Sequence, residues 1–176
     1  MLRLNAEAEQ PAVLQAAEQL CIAARTAPKG KGKDLLVTAI VTGEEKSRLV
    51  QKMREIAERD QLAFFSRDAG NVEGVEVVVL FGSRREPLGL PACGYCGFAN
   101  CAAMAKAGAF CSFNVGDLGI ALGSAASRAA DLRLDNRIMY SLGKAALELS
   151  LLGPEVALAY GIPLSASGKS PFFDRG

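Results

Sequence analysis

Four of the five cysteines fall in one short run, Cys93-Gly-Tyr-Cys96-Gly-Phe-Ala-Asn-Cys101, followed by Cys111. The spacing Cys-x2-Cys-x4-Cys-x9-Cys constrains the chain more than any other feature, because thiolates that share a ligand must be folded to one point. Four of them hold an iron–sulfur cluster of [4Fe–4S] type or a tetrahedral zinc ion; left free, they serve as redox or disulfide-forming thiols. The glycines after Cys93 and Cys96 let the backbone turn tightly and expose N–H groups toward sulfur. Three ligands in one compact run with a single distal partner favour a cluster over zinc, whose structural sites more often use two separated knuckles. The alternative role is structural: a binding or scaffold protein in which zinc or a cluster orders the Gly/Ala-rich segment 91–113.

The chain contains no histidine. Ser–His–Asp triads, Cys–His dyads, His-ligated haem and imidazole acid–base chemistry are thereby excluded. No side chain stands out as a proton donor, leaving Tyr95 and Tyr140 as candidates. At 176 residues, half of them hydrophobic and with a net charge of +1, the chain is expected to form a single domain, 1–176, that binds no nucleic acid. It has neither an eighteen-residue apolar stretch nor the apolar core of a signal peptide, so no membrane partner and a cytoplasmic location are expected. Clustered cysteines in a reducing compartment read as ligands or redox thiols. Cys21, on the apolar face of a predicted helix, reads as a buried structural thiol.

Apolar spacing predicts helices over about 10–26 and 44–59, with strands at 35–41 and 75–81. Two further helices follow the cysteine segment, at about 114–132 and 135–151, then a strand at 156–160 and an irregular tail. Helices and strands alternate without repeat, which places the chain in the α+β or α/β class. The helix at 114–132 holds Gly116, Gly119 and Gly123, each costing about 1 kcal/mol relative to alanine. Close approach of another backbone or of a flat cofactor would account for them.

Arg25-Thr-Ala-Pro-Lys-Gly-Lys-Gly-Lys33 is a cationic loop that either holds a phosphate, through Arg25, Thr26, its lysines and glycine N–H groups, or is simply solvated. It lacks the spacing of a P-loop, as does Gly168-Lys-Ser170. The tail Phe172-Phe-Asp-Arg175 is too apolar for a free end and is expected to dock on its own core or on a partner subunit.

Taken together, the cysteine run, Cys111-x-Phe113-Asn-Val-x-Asp117-Leu-Gly-Ile-Ala-Leu-Gly-Ser-Ala, Asp135-Asn-Arg-Ile-Met-Tyr-Ser-Leu-Gly and Gly168-Lys-Ser-Pro-Phe-Phe-Asp-Arg175 resemble the uncharacterised ferredoxin domain-containing proteins of bacteria and archaea. The cysteine core is also similar to [4Fe–4S] modules of electron-transfer and corrinoid proteins, which place the fourth cysteine further downstream than Cys111. The order of elements resembles flavin-dependent nitroreductases. That resemblance implies a nitroreductase-like α+β fold, a central mixed sheet flanked by helices, here with a Cys-rich insert. It further implies FMN with its phosphate at Arg25, Thr26, Ala27 and Lys29, and a homodimer with flavin at the interface. The chain departs from those enzymes by its shortness, its cysteine segment and its lack of tryptophan. The expectation is an oxidoreductase that binds a cluster at Cys93, Cys96, Cys101 and Cys111 and passes electrons to an unknown redox partner.

Overall fold

The computed structural model describes residues 1–173. Its central element is β2 (Val77–Arg84), in which every residue but the last is buried. Alternate residues of a strand face opposite ways. Val78 and Leu80 therefore enter one core, while Val77, Val79 and Phe81 enter another. Burying each such side chain contributes about 1.5–3 kcal/mol, so both faces require a cover. On one face the cover is α2 (Gly43–Arg59), α3 (Ala63–Glu73) and α6 (Tyr140–Glu148). On the other it is α1 (Ala6–Thr26) and α5 (Ser112–Asp131).

β2 lies between β1 (Leu36–Val41) and β4 (Val156–Ser165), and β3 (Asp135–Asn136) pairs with the far side of β4. The sheet was expected to be mixed, but all its pairings among the described residues are antiparallel. The reason is α3. One helix between two strands returns the chain for parallel pairing, whereas the two legs α2 and α3 leave it at the opposite end. The apolar signal of α3 is only Phe65, Ala69 and Val72, interrupted by Ser66, Gly70 and Asn71.

Other boundaries also shift. The helix expected at 135–151 is shortened to α6 by β3 and by a bridge from Met139 to Gly161. The strand expected to end at residue 160 continues to Ser165, because β2 supplies a ladder as far as Leu164 despite Gly161 and Pro163. A short helix, α4 (Cys101–Lys106), lies within the cysteine segment. Phe172 is buried in the core beneath α2, α3 and α6, so the tail straps its own chain there, and the Arg137 guanidinium lies 5.4 Å from the exposed Phe173 ring. Asp174 and Arg175 of the same motif lie outside the described residues.

Within the described residues of this one chain no backbone approaches the α5 glycines, but one does approach Gly143 of α6. A Cβ there would meet the Ala159 carbonyl oxygen at 1.9 Å, whereas Gly116, Gly119 and Gly123 have nothing within 4 Å. Gly143→Ala is therefore expected to lower stability by about 1–3 kcal/mol, the cost of overpacking against backbone. Gly119→Ala should raise the stability of the monomer by about 0.5–1 kcal/mol through helix propensity. Urea denaturation of the two variants checks both signs.

Candidate metal centre

The cysteine segment begins where β2 leaves the sheet at Arg84. Ala92, Gly94 and Gly97 take positive φ values of 52°, 80° and 82°, and the Gly97 N–H donates to the Gly94 carbonyl at 2.9 Å. This coil carries Cys93 and Cys96. The Asn100 side chain accepts a hydrogen bond from the Ala103 N–H at 2.9 Å and so caps α4, whose first residue is Cys101. Cys111 is the N-cap of α5 and is buried. Leu88, Met104 and Cys111 form a small core of their own, with Phe98, Ala109 and Phe113 packed against it.

Cys93, Cys96, Cys101 and Cys111 all line one cavity of about 140 Å³. No group of three His, Cys, Asp or Glu side chains among the described residues is arranged to hold a metal ion. Cys21 stays apart on α1, partly rather than fully buried as expected, and burial there pushes its thiol up against the opposing effects of Thr38 and Arg25. A thiol kept protonated in this way is a packing group.

Three contacts missed at the sequence level fix the chain on either side of Cys111. Asn114, one turn into α5, donates through Nδ2 to the Glu86 carbonyl at 2.6 Å and, more weakly, to the Arg84 carbonyl at 3.5 Å. The Arg85 guanidinium lies 4.5 Å from the Phe110 ring, and Tyr95 stacks on Phe113 with centroids 5.6 Å apart. Asparagine three residues after a cysteine N-cap was the available signal, but its partners are backbone carbonyls that no side-chain pattern announces.

Arg25, Thr26 and Lys29 of the cationic loop are engaged by their own chain. Arg25 Nη1 donates to Asp34 Oδ2 at 2.6 Å and to the Leu36 carbonyl at 2.8 Å. Thr26 Oγ1 donates back to the Ile22 carbonyl within α1. Lys29 Nζ contacts the carbonyls of Ala24, Arg25 and Ala27, neutralising the C-terminal end of α1. Ala27 is buried in the core. It is Gly30 that reaches α5, its N–H donating to both carboxylate oxygens of Asp117 at 3.0 and 3.1 Å. A groove of about 350 Å³ lies alongside, with Pro28, Tyr95, Phe113 and Asp117 in its walls.

Comparison with known proteins agrees with this architecture. The profile of a family described as uncharacterized proteins containing a ferredoxin domain matches residues 107–175. An uncharacterized protein from Archaeoglobus fulgidus is 42% identical over 160 residues, covering 86% of this chain and 85% of the relative. The chain belongs to this ferredoxin-domain family. Its fold is that of the nitroreductases. A nitroreductase with bound FMN from Desulfitobacterium hafniense superposes with a TM-score of 0.60 at 17% identity, over 90% of this chain and 78% of that one. A Lactococcus lactis nitroreductase in complex with nicotinic acid gives 0.59 at 13% identity, over 93% and 84%. At such identities the likeness establishes the fold of the ferredoxin-domain protein and nothing about its chemistry. No helix among the described residues is long and apolar enough to cross a membrane.

The Arg25–Asp34 pair gives a pH-dependent expectation. Burial opposes the Asp34 carboxylate, but the Arg25 guanidinium and the Leu36 N–H outweigh it and hold the carboxyl below its ordinary value. A depressed folded pKa contributes stability above the unfolded aspartate value of about 3.9, lost as pH falls through the folded value. Both side chains are substantially exposed, so Arg25→Ala should cost only about 0.5–1 kcal/mol near neutrality. That cost should shrink in acid as Asp34 protonates, a trend measurable by chemical denaturation at several pH values.

Proposed function

We propose that this protein is an electron carrier or oxidoreductase in which Cys93, Cys96, Cys101 and Cys111 bind an iron–sulfur cluster of [4Fe–4S] type. The observation that carries this reading is the shared cavity of about 140 Å³ lined by all four residues. A single water needs about 10–15 Å³ on the same measure, so the space is several times larger than one small occupant requires. Zinc would draw four sulfurs to about 2.3 Å from one point, closing the space that these residues leave open. The residues present therefore fit a cluster better than an ion.

A bound cluster would supply one-electron transfer at a potential set by hydrogen bonds to sulfur, charge and exposure. The chain's own contribution is the setting. Cys111 and Ser112 place the N-terminal end of the 20-residue α5 at the cavity wall, where helix N–H groups favour negative charge. Leu88, Met104 and Phe113 exclude water from the Cys111 side, while Gly94 and Gly97 bend the other ligands over it.

FMN fits the chain less well. A flavin phosphate at Arg25, Thr26, Ala27 and Lys29 would have to displace Asp34 and release the carbonyls that Lys29 holds. The groove beside Tyr95 also presents the Asp117 carboxylate, which repels phosphate. No step is assigned to flavin in this reading.

A homodimer is the second part of the proposal. The outward face of α5 carries Val115 and Ile120, each about half exposed, beside the uncovered Gly116, Gly119 and Gly123, and Ile22 of α1 is also exposed. Apolar side chains beside small residues suit close helix packing against a second copy. Light scattering at micromolar concentration should give twice the chain mass. A monomer at high micromolar concentration contradicts the dimer and leaves the cluster reading intact.

Anaerobic purification tests the central reading. Brown protein with about four irons and four sulfides per chain is expected for a [4Fe–4S] centre. Cys111→Ser should destabilise the cluster, whereas Cys21→Ser should leave iron content unchanged. A colourless preparation with one zinc per chain would replace the redox reading with a structural one.

A further inference from the structure

Residues 87–110 belong to neither main core. Only Leu88 and Met104 are buried among them, and these pack with Cys111 in a small core separate from the two that flank β2. The last backbone bond from this stretch of chain to the sheet runs from the Arg85 N–H to the Glu155 carbonyl, at 3.0 Å. Beyond it, every backbone–backbone hydrogen bond of residues 87–110 is internal among the described residues: the turn at Gly94 and Gly97, and the bonds in and around α4. Gly89, Ala92, Gly94, Gly97 and Gly108 all take positive φ, and glycines lose the most freedom on ordering. Two buried side chains offset little of the conformational entropy of a segment this long, which puts it at the low-stability end of the fold.

Both ends of the segment are fixed. Asn114 Nδ2 on α5 donates to the Glu86 carbonyl at 2.6 Å, and Cys111 is buried as the N-cap of the same helix. Between those points the ties to the rest of the chain are side-chain contacts. Lys33 Nζ reaches the Pro87 carbonyl at 3.3 Å, Leu88 lies against Gly30, and Tyr95 stacks on Phe113. Cys93, Cys96 and Cys101 all lie on the segment, and Cys111 is the anchored cysteine. A group bound by the four thiolates therefore fastens the loosely tied stretch to α5 at three points along its length.

We infer that residues 87–110 form a flap that the metal centre holds closed. Metal binding supplies folding free energy to surroundings that order poorly without it. With the centre filled, the flap lies against α5. With it emptied, the flap opens as a unit between Glu86 and Cys111, while the sheet and its covering helices stay folded. Tyr95 moves with the flap. It forms one wall of the groove of about 350 Å³ along α5, so opening removes that wall and uncovers Phe113. Occupancy of the cysteines is thereby converted into a change of surface beside α5. The inference rests on the proposed metal centre at the four cysteines.

Hydrogen exchange of the anaerobically purified protein tests it, before and after a chelator removes metal with the thiols kept reduced. Iron and zinc are measured on the same samples. Peptides within 88–110 should exchange about tenfold faster or more after removal, while those of 77–83 and 118–129 stay unchanged. Trypsin gives a second reading: Lys106 is the only lysine or arginine between Arg85 and Arg128, and cleavage there should accelerate to a similar extent. Unchanged exchange in 88–110 on loss of iron overturns the flap and leaves the cluster reading intact. Loss of protection across the whole chain overturns it too, because the segment would then not open separately. Opening on loss of zinc instead of iron sustains the flap while removing the redox reading, and protein that binds neither metal removes both.

Discussion

Burial of β2 on both faces places helices on both sides of the sheet and thereby determines where the cysteines can meet. The strand's far end, at Arg84, must emerge between the helical layers, and the chain that leaves it carries three of the four thiols before returning as α5. α5 cannot drift, because Leu118, Ala121, Leu122, Ala125 and Ala129 are committed to the same core as Val79 and Phe81. Cys111, the N-cap of that helix, is therefore the cysteine whose position is fixed by the core. The run 93–101 folds toward it. Asn114 ties that helix to the end of β2 and the residues just past it, its amide donating to the Arg84 and Glu86 carbonyls.

The electrostatic character of the site follows from sequence composition in this segment. Between Glu86 and Asp117 the only charged residue is Lys106, in a chain that is 22% charged overall. No charged side chain lines the four-cysteine cavity itself, where backbone N–H groups and the end of α5 contribute to the field, while Arg84, Arg85 and Glu86 line the adjoining one.

Legibility from sequence followed the strength of periodic signals. α1, α2, α5 and the buried strands were readable because long apolar patterns leave little choice of period. α3 was not, since two aromatic residues, a glycine and polar residues blur its stripe, and missing it concealed the antiparallel sense of the sheet. At the site, the four cysteines were legible as a set because their spacing is distinctive. Arg25 and Lys29 were readable as cations but not as cations already satisfied: their partners, Asp34 and the carbonyls of Ala24, Arg25 and Ala27, depend on how a helix end and a turn fold together. Gly143 was hidden for a related reason, since its necessity comes from β4 passing beneath it and from nothing in its own helix.

The most direct test of the account is anomalous diffraction from crystals grown without oxygen, with data collected on either side of the iron and zinc absorption edges. The account predicts a compact iron signal inside the cavity, in contact with the sulfurs of Cys93, Cys96, Cys101 and Cys111 and absent from the surroundings of Cys21. A single zinc peak at the four sulfurs, or a disulfide between any two of them in the anaerobic crystal, would contradict it.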